Sequence, residues 1–208
     1  MSEFKFATPY WDERETLASG YLLQEPLEKL KLSLRIGDTL LELKELLGAQ
    51  EYFHRLQDPL KERCLAMDKD LASFFMQLAK DKEIPVATDL FIKIDELLAP
   101  LVVRLRYIFN RPRPRYMAMH YKLNLFAQRS IVGDEPSFPC VHTLRALCYT
   151  ETIGSLFPAL YEPYNELCEE VARSRQWMGV QYQSDITAAI QCAAMVCSYK
   201  GWIEEFKL

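Results

Sequence analysis

Apolar residues recur at intervals of three and four positions along most of this chain, and that spacing predicts amphipathic helices. The clearest series is Leu27, Leu30, Leu34, Leu41 and Leu47. No segment gives a convincing strand pattern, in which apolar and polar residues would alternate. Only 7 of the 208 residues are glycine, which disfavours a turn-rich sandwich or barrel. We therefore expect an all-α fold.

Prolines and glycines divide this pattern into about six expected helices, which would pack as a single-domain helical bundle. We place them at about 25–48, 58–82, 88–109, 139–157, 164–178 and 181 or 184 to 206. The third helix would bend near Pro100 and end before the two Arg-Pro units of 111–114, because a residue before proline disfavours the helical region. We expect residues 1–24 to form an arm and residues 25–208 to form the domain.

Length and charge narrow the class of protein. A chain of 208 residues fits one domain with a sizeable core. Its 25 basic and 29 acidic residues give a net charge of −4, without the basic excess of a nucleic acid-binding protein. No segment reaches the roughly 18 apolar residues of a membrane span, and Met1–Trp11 lacks the apolar core of a signal peptide. We expect a soluble, cytoplasmic protein with no nucleic-acid partner.

The first of three segments with chemical potential is 106–114, in which six residues separate Arg106 from Arg113. A guanidinium stays charged at physiological pH and can bind two phosphate oxygens through parallel hydrogen bonds. The two Arg-Pro units would hold such groups on a rigid backbone. An ordinary solvated helix end, with basic residues opposing the helix dipole, is the alternative.

The second segment is Ser137–Thr143, at the expected start of the fourth helix. Backbone N–H groups at a helix start favour an anion. His142 in the first turn could donate to a phosphate or protonate a leaving group. An ordinary, partly buried histidine is the alternative.

The third segment is Ser174–Asp185, which contains Arg175 at the end of one expected helix. If the next helix begins by Gln181, that residue and Asp185 are four positions apart and share a face. The alternative is a loop between two core helices, with Asp185 acting as a capping acid.

Together, the order and spacing of the three segments resemble the signature of the type 2 phosphatidic acid phosphatase and vanadium haloperoxidase superfamily. That signature is Lys-x6-Arg-Pro, then Pro-Ser-Gly-His, then Ser-Arg-x5-His-x3-Asp. The third segment is most similar to the soluble class A bacterial acid phosphatases. The resemblance covers about residues 104–196 and implies an acid phosphatase-like helical fold. Arg104 with Arg111 also satisfies the first motif, although the double Arg-Pro pattern favours Arg106 with Arg113.

The resemblance also implies roles for individual residues. Its phosphate-binding set would be Arg106, Arg113, Cys140, Val141, His142 and Arg175. A histidine in the third motif would attack phosphorus, Asp185 would orient it, and His142 would protonate the leaving group. Here the nucleophile position is Gln181, whose amide nitrogen has a delocalised lone pair and cannot follow the covalent route.

The second motif departs from the family as well. Cys140 is a weaker donor than the hydroxyl it replaces, and Val141 crowds a position where glycine would let the backbone approach an anion. Loss of a catalytic nucleophile can cost roughly a millionfold in turnover. We therefore expect a pseudophosphatase, a phosphate-binding protein with impaired or lost hydrolysis. An active phosphomonoesterase using His142 without a phosphohistidine, and a helical interaction or structural protein, are the alternatives.

The expected ligand is phosphate or a phosphorylated small molecule, with no cofactor and no metal. The six cysteines include no Cys-x-x-Cys pair and no histidine at zinc-finger spacing. The amphipathic N-terminal helix is compatible with a homodimer.

Overall fold

The computed structural model describes residues 22–128, 130 and 135–206, and every regular element within them is helical. The all-α prediction is confirmed for that part of the chain. The predicted arm falls almost wholly outside it. In chain order the α-helices are α1 (Gln24–Ser33), α2 (Thr39–Arg55), α3 (Asp58–Lys69), α4 (Leu71–Asp81), α5 (Thr88–Phe109), α6 (Pro114–His120), α7 (Val141–Leu156), α8 (Tyr161–Trp177), α9 (Gln183–Cys197) and α10 (Lys200–Glu205). A 3-10 helix, Pro158–Leu160, precedes α8.

The predicted number of helices is too low. The predicted helices at 25–48, 58–82 and 181–206 correspond to the pairs α1 and α2, α3 and α4, and α9 and α10. The predicted loop after 114 contains α6, which begins at a proline, the residue that suits the first helical position. By contrast, α5 has its predicted bounds, and Pro100 lies inside it.

Aspartate caps explain two of these divisions. Asp38 accepts a hydrogen bond from the backbone N–H of Leu41 at 2.8 Å and starts α2. Asp70 accepts from the N–H of Ser73 at 3.2 Å and starts α4. Such caps satisfy N–H groups that a helix start leaves without partners. Gly48, the predicted end of the first helix, lies inside α2.

The core is built around α7, which packs against α5, α8 and α9. Four buried aromatic rings join it to its neighbours. Tyr149 of α7 meets Phe75 of α4 and Phe91 of α5 edge-on, with ring centroids 5.3 and 4.9 Å apart. Phe75 also meets Tyr164 of α8 at 4.8 Å. These tilted contacts are the favoured geometry for aromatic pairs and fix the spacing of four helices.

The fold brings the three motifs to one set of helix ends. Arg106 lies in the last turn of α5, Cys140 caps α7, Arg175 lies in the last turn of α8, and Asp185 lies in the first turn of α9. The backbone N–H of Cys140 donates to the carbonyl of Asp185 at 3.0 Å, so the second and third motifs touch directly. No helix among the described residues is long and apolar enough to span a membrane.

Two glycines provide a matched test of this backbone. Gly179 follows α8 with a φ of +69°, and a Cβ there would lie 2.9 Å from Gln50 Nε2 and 3.3 Å from the Cα of Ala127. Gly179→Ala should therefore lose about 1–2 kcal/mol of unfolding free energy. Gly48 lies in α2 with no atom near its would-be Cβ, so Gly48→Ala should gain about 0.5–1 kcal/mol. Urea unfolding measures both, and equal stabilities would contradict the described geometry.

Candidate functional site

Three buried arginines form the centre of the candidate site, two from the first motif and one from the third. Arg106, Arg113 and Arg175 are at most 5% exposed. They lie close enough to repel one another, since burial and then the charges of Arg106 and Arg175 lower the pKa of Arg113 to about 10. The structure therefore places these three sequence-derived candidates together.

Several N–H groups of these arginines have no partner among the described residues. They are Nε and Nη2 of Arg106, Nη2 of Arg113 and Nε of Arg175. An unsatisfied buried donor costs about 1–3 kcal/mol, and more when the group is charged. These N–H groups can therefore still donate hydrogen bonds to the acceptor atoms of a ligand.

Asp68, at the end of α3, supplies one negative charge to this site. Its Oδ1 accepts from Arg175 Nη1 at 2.6 Å and from the hydroxyl of Ser130 at 2.7 Å. The side chain of Asp68 is 3% exposed, so this is an interior ion pair. Sequence reasoning missed Asp68 because it belongs to no motif and lies 107 residues from its partner.

Glu135 supplies a second negative charge. Its carboxylate forms an ion pair with Arg106, and its backbone carbonyl accepts from Arg113 Nε at 2.8 Å. Arg113 Nη1 also donates to the carbonyl of Val180 at 3.1 Å. Sequence reasoning assigned Glu135 no role, because it lies outside the three segments.

The structure distinguishes the two possible registers of the first motif, Arg104 with Arg111 and Arg106 with Arg113. Arg104 donates to Gln24 Oε1 at 3.0 Å, in an exposed contact away from the other motifs. Only the register of Arg106 and Arg113 places both arginines near Arg175.

Arg111 has a different position, between two carboxylates from distant helices. Its Nη2 donates to Glu42 Oε2 at 2.6 Å and its Nη1 to Asp185 Oδ1 at 2.7 Å. Its guanidinium also stacks 3.6 Å above the ring of Tyr182. Ser184 joins the cluster, since its backbone N–H donates to Glu42 Oε1 at 2.5 Å. Arg111 thus holds Asp185 in place beside the arginine site.

Gln181 is fully buried and satisfies both ends of its amide. In the orientation that matches donors to acceptors, its nitrogen donates to Asp185 Oδ2 at 2.7 Å and to the carbonyl of Ser137 at 2.8 Å. Its oxygen accepts from Arg113 Nη1 at 3.0 Å. Residue 181 therefore links Asp185 to the arginines.

The condition under which Gln181 and Asp185 would share a helix face is not met, because α9 begins at Gln183. Their contact arises because Asp185 folds back over the helix start. Its Oδ2 accepts from the backbone N–H of Tyr182 at 3.0 Å, which is a capping role. Burial raises the pKa of Asp185, and the charge of Arg111 opposes that rise.

His142 is buried against α3. Its Nε2 lies 3.1 Å from the backbone carbonyl of Asp68, and its buried Nδ1 has no partner within the described part of the chain. Because a carbonyl oxygen can only accept, Nε2 carries the proton. Burial, and then the charge of Arg175, holds the pKa of His142 well below its ordinary value. A neutral imidazole whose N–H is already engaged is a weak general acid.

Cys140 and Val141 lie at the start of α7. Cys140 is fully buried, and its Sγ accepts from Thr143 Oγ1 at 3.3 Å. The thiol lies near the guanidinium groups of Arg106 and Arg113. Val141 is partly buried and packs against the apolar core.

Among the described residues, no three His, Cys, Asp or Glu side chains are grouped as a metal site requires. Two comparisons with known proteins gave no match: no family model matches the chain, and neither does any curated protein. The phosphatase resemblance therefore stays a prediction. Only the contacts described above bear on the function of the chain.

The buried state of His142 predicts a pH-dependent stability. The unfolded chain binds a proton at this residue as the pH falls through about 6.5, whereas the native chain does not. The contribution of His142 to the unfolding free energy should therefore be present above about pH 6.5 and should fall as the pH drops below that value, by up to about 1.4 kcal/mol at pH 5.5. Urea unfolding at two pH values measures this loss, which His142→Gln should remove. His54→Gln, at an exposed position, should keep the wild-type loss, and an unchanged loss in His142→Gln would contradict the assignment.

Proposed function

We propose that this chain is an acid phosphatase-like pseudophosphatase, which binds phosphate or a phosphomonoester at the arginine site without hydrolysing it efficiently. The observation that carries the proposal is the set of unpartnered N–H groups on Arg106, Arg113 and Arg175. A phosphate group offers several acceptor oxygens at once and bonds guanidinium groups with matched geometry.

Charge supports the same ligand class. Among the described residues, Asp68 pairs with Arg175 and Glu135 with Arg106, whereas Arg113 forms no ion pair and donates to backbone carbonyls and to the Gln181 amide oxygen. Burial and then the charges of Arg106 and Arg175 lower the pKa of Arg113, and an anion placed among these groups would offset the repulsion. An interior cation without a counter-charge is strongly destabilising.

The same contacts argue against efficient hydrolysis. The Gln181 amide has no free nitrogen lone pair, and both of its ends are engaged by Asp185 and Arg113. The N–H of His142 points to the backbone of Asp68, so a leaving group would lack a ready proton donor. An active phosphomonoesterase that uses His142 is therefore the less favoured alternative.

A helical structural or interaction protein is the second candidate. Asp68 and Glu135 favour it, because they already act as counter-ions to Arg175 and Arg106. If these pairs are the whole purpose of the arginines, no external anion should bind. The two candidates therefore differ in their response to phosphate.

Inorganic phosphate should raise the thermal stability of the wild-type chain, by about 2.7 kcal/mol at a hundred times the dissociation constant. Arg113→Gln should lose this response, because Arg113 contributes a free N–H and a central charge. Arg104→Gln is the matched control from the other register and should respond like the wild type. Thermal unfolding with and without phosphate measures all three. No response either in the wild type or in Glu135→Gln, which lacks the carboxylate paired with Arg106, would favour the structural candidate.

Restoring the nucleophile tests the arrangement of the site. In Gln181→His, an imidazole N–H can donate to Asp185 while the other nitrogen faces Arg113. We expect hydrolysis of p-nitrophenyl phosphate at least about tenfold above the wild type, since its leaving group needs no proton from His142. Release of p-nitrophenol measures the rate.

The double variant Gln181→His/Asp185→Asn is the control, because it removes the group that orients the imidazole. It should return to the wild-type rate. An undiminished rate in the double variant would show that Asp185 does not orient the imidazole. A variant that binds phosphate but never hydrolyses the ester would show that Cys140 and Val141 close the line of attack.

A further inference from the structure

Glu135 reaches the arginine site from its solvent side. Its carboxylate pairs with Arg106, whose side chain is 6% exposed, while the side chain of Glu135 itself is 53% exposed. The carbonyl of the same residue accepts from Arg113 Nε. One residue at the rim thus engages two of the three arginines.

The carboxylate of Asp68 is harder to displace from its arginine than the carboxylate of Glu135. The Asp68 carboxylate is buried, accepts from both Arg175 and Ser130, and lies 3.5 Å from His142 Nε2. Removing it would leave interior groups without partners. Glu135 is already half in water, and a carboxylate in that position loses little when it turns outward.

Arg106, in contrast, cannot do without an anion. Its guanidinium is buried, and two of its nitrogens have no partner among residues that the structure describes, while Glu135 engages Nη1. The Glu135 carboxylate should therefore leave only when another anion takes its place.

We propose that Glu135 is an internal competitor for the anion site: its carboxylate occupies the position on Arg106 that a phosphate oxygen takes, and phosphate binding is an exchange in which Glu135 turns to solvent. This inference rests on the proposed function of the site. The measured association constant for phosphate is then the intrinsic constant multiplied by the fraction of molecules in which Glu135 has left Arg106.

Isothermal titration of the full chain with inorganic phosphate tests the exchange. Glu135→Gln should bind phosphate about tenfold more tightly than the wild type. Glu135→Asp keeps the charge but shortens the side chain, so it should also bind more tightly. Glu205→Gln is the matched control, because Glu205 is similarly exposed and pairs with Lys93 at the surface. It should bind like the wild type, and thermal unfolding establishes that every variant is folded.

The outcomes separate this inference from the proposed function. Tighter binding by both Glu135 variants supports the exchange, including the case in which the wild type binds too weakly to measure. Binding by the wild type that is unchanged or weakened in Glu135→Gln overturns the exchange and leaves the anion site intact. A gain in Glu135→Gln alone, without one in Glu135→Asp, also overturns it, because charge and not contact would then set the affinity. No binding by any variant overturns the proposed function itself.

Discussion

An arginine can remain in a protein interior only where a carboxylate or another anion lies beside it, and this requirement organises the whole described chain. Arg111 is the clearest case, since Glu42 from α2 and Asp185 from α9 both accept its hydrogen bonds. Arg175 imposes the same condition on α3 through Asp68. Helices α2 and α3 are therefore fixed against the motif-bearing helices by charge as well as by apolar packing.

Local signals predicted the fold better than they predicted the site. The apolar spacing and the Arg-Pro units gave α5 its correct bounds. The same spacing continues across Asp38 and Asp70, so the predicted helices ran through two aspartate caps. At the site, the spacing of motif residues indicated Arg106 and the other arginines. It could not indicate their carboxylate partners, because ion pairs between distant segments leave no periodic pattern in a sequence.

Gln181 shows that an amide can occupy a hydrogen-bond position that an imidazole could also fill. An imidazole with one N–H and one free nitrogen can bridge a carboxylate and a guanidinium, and the amide does the same through its nitrogen and its oxygen. The positions of Asp185 and Arg113 are therefore compatible with either residue. Reactivity differs because only the imidazole has a nitrogen lone pair available for attack.

The contact between Glu42 and Arg111 also determines how small a working piece of this protein can be. The motifs span about residues 104–196, yet an excised fragment of that length would lack both Glu42 and Asp68. Arg111 would keep Asp185 alone, and Arg175 would be stripped of its carboxylate. The minimal folding unit must therefore extend back at least to α2. A protease cut between α4 and α5 would separate Glu42 and Asp68 from the segment that carries Arg111 and Arg175, and would lower the stability of that segment.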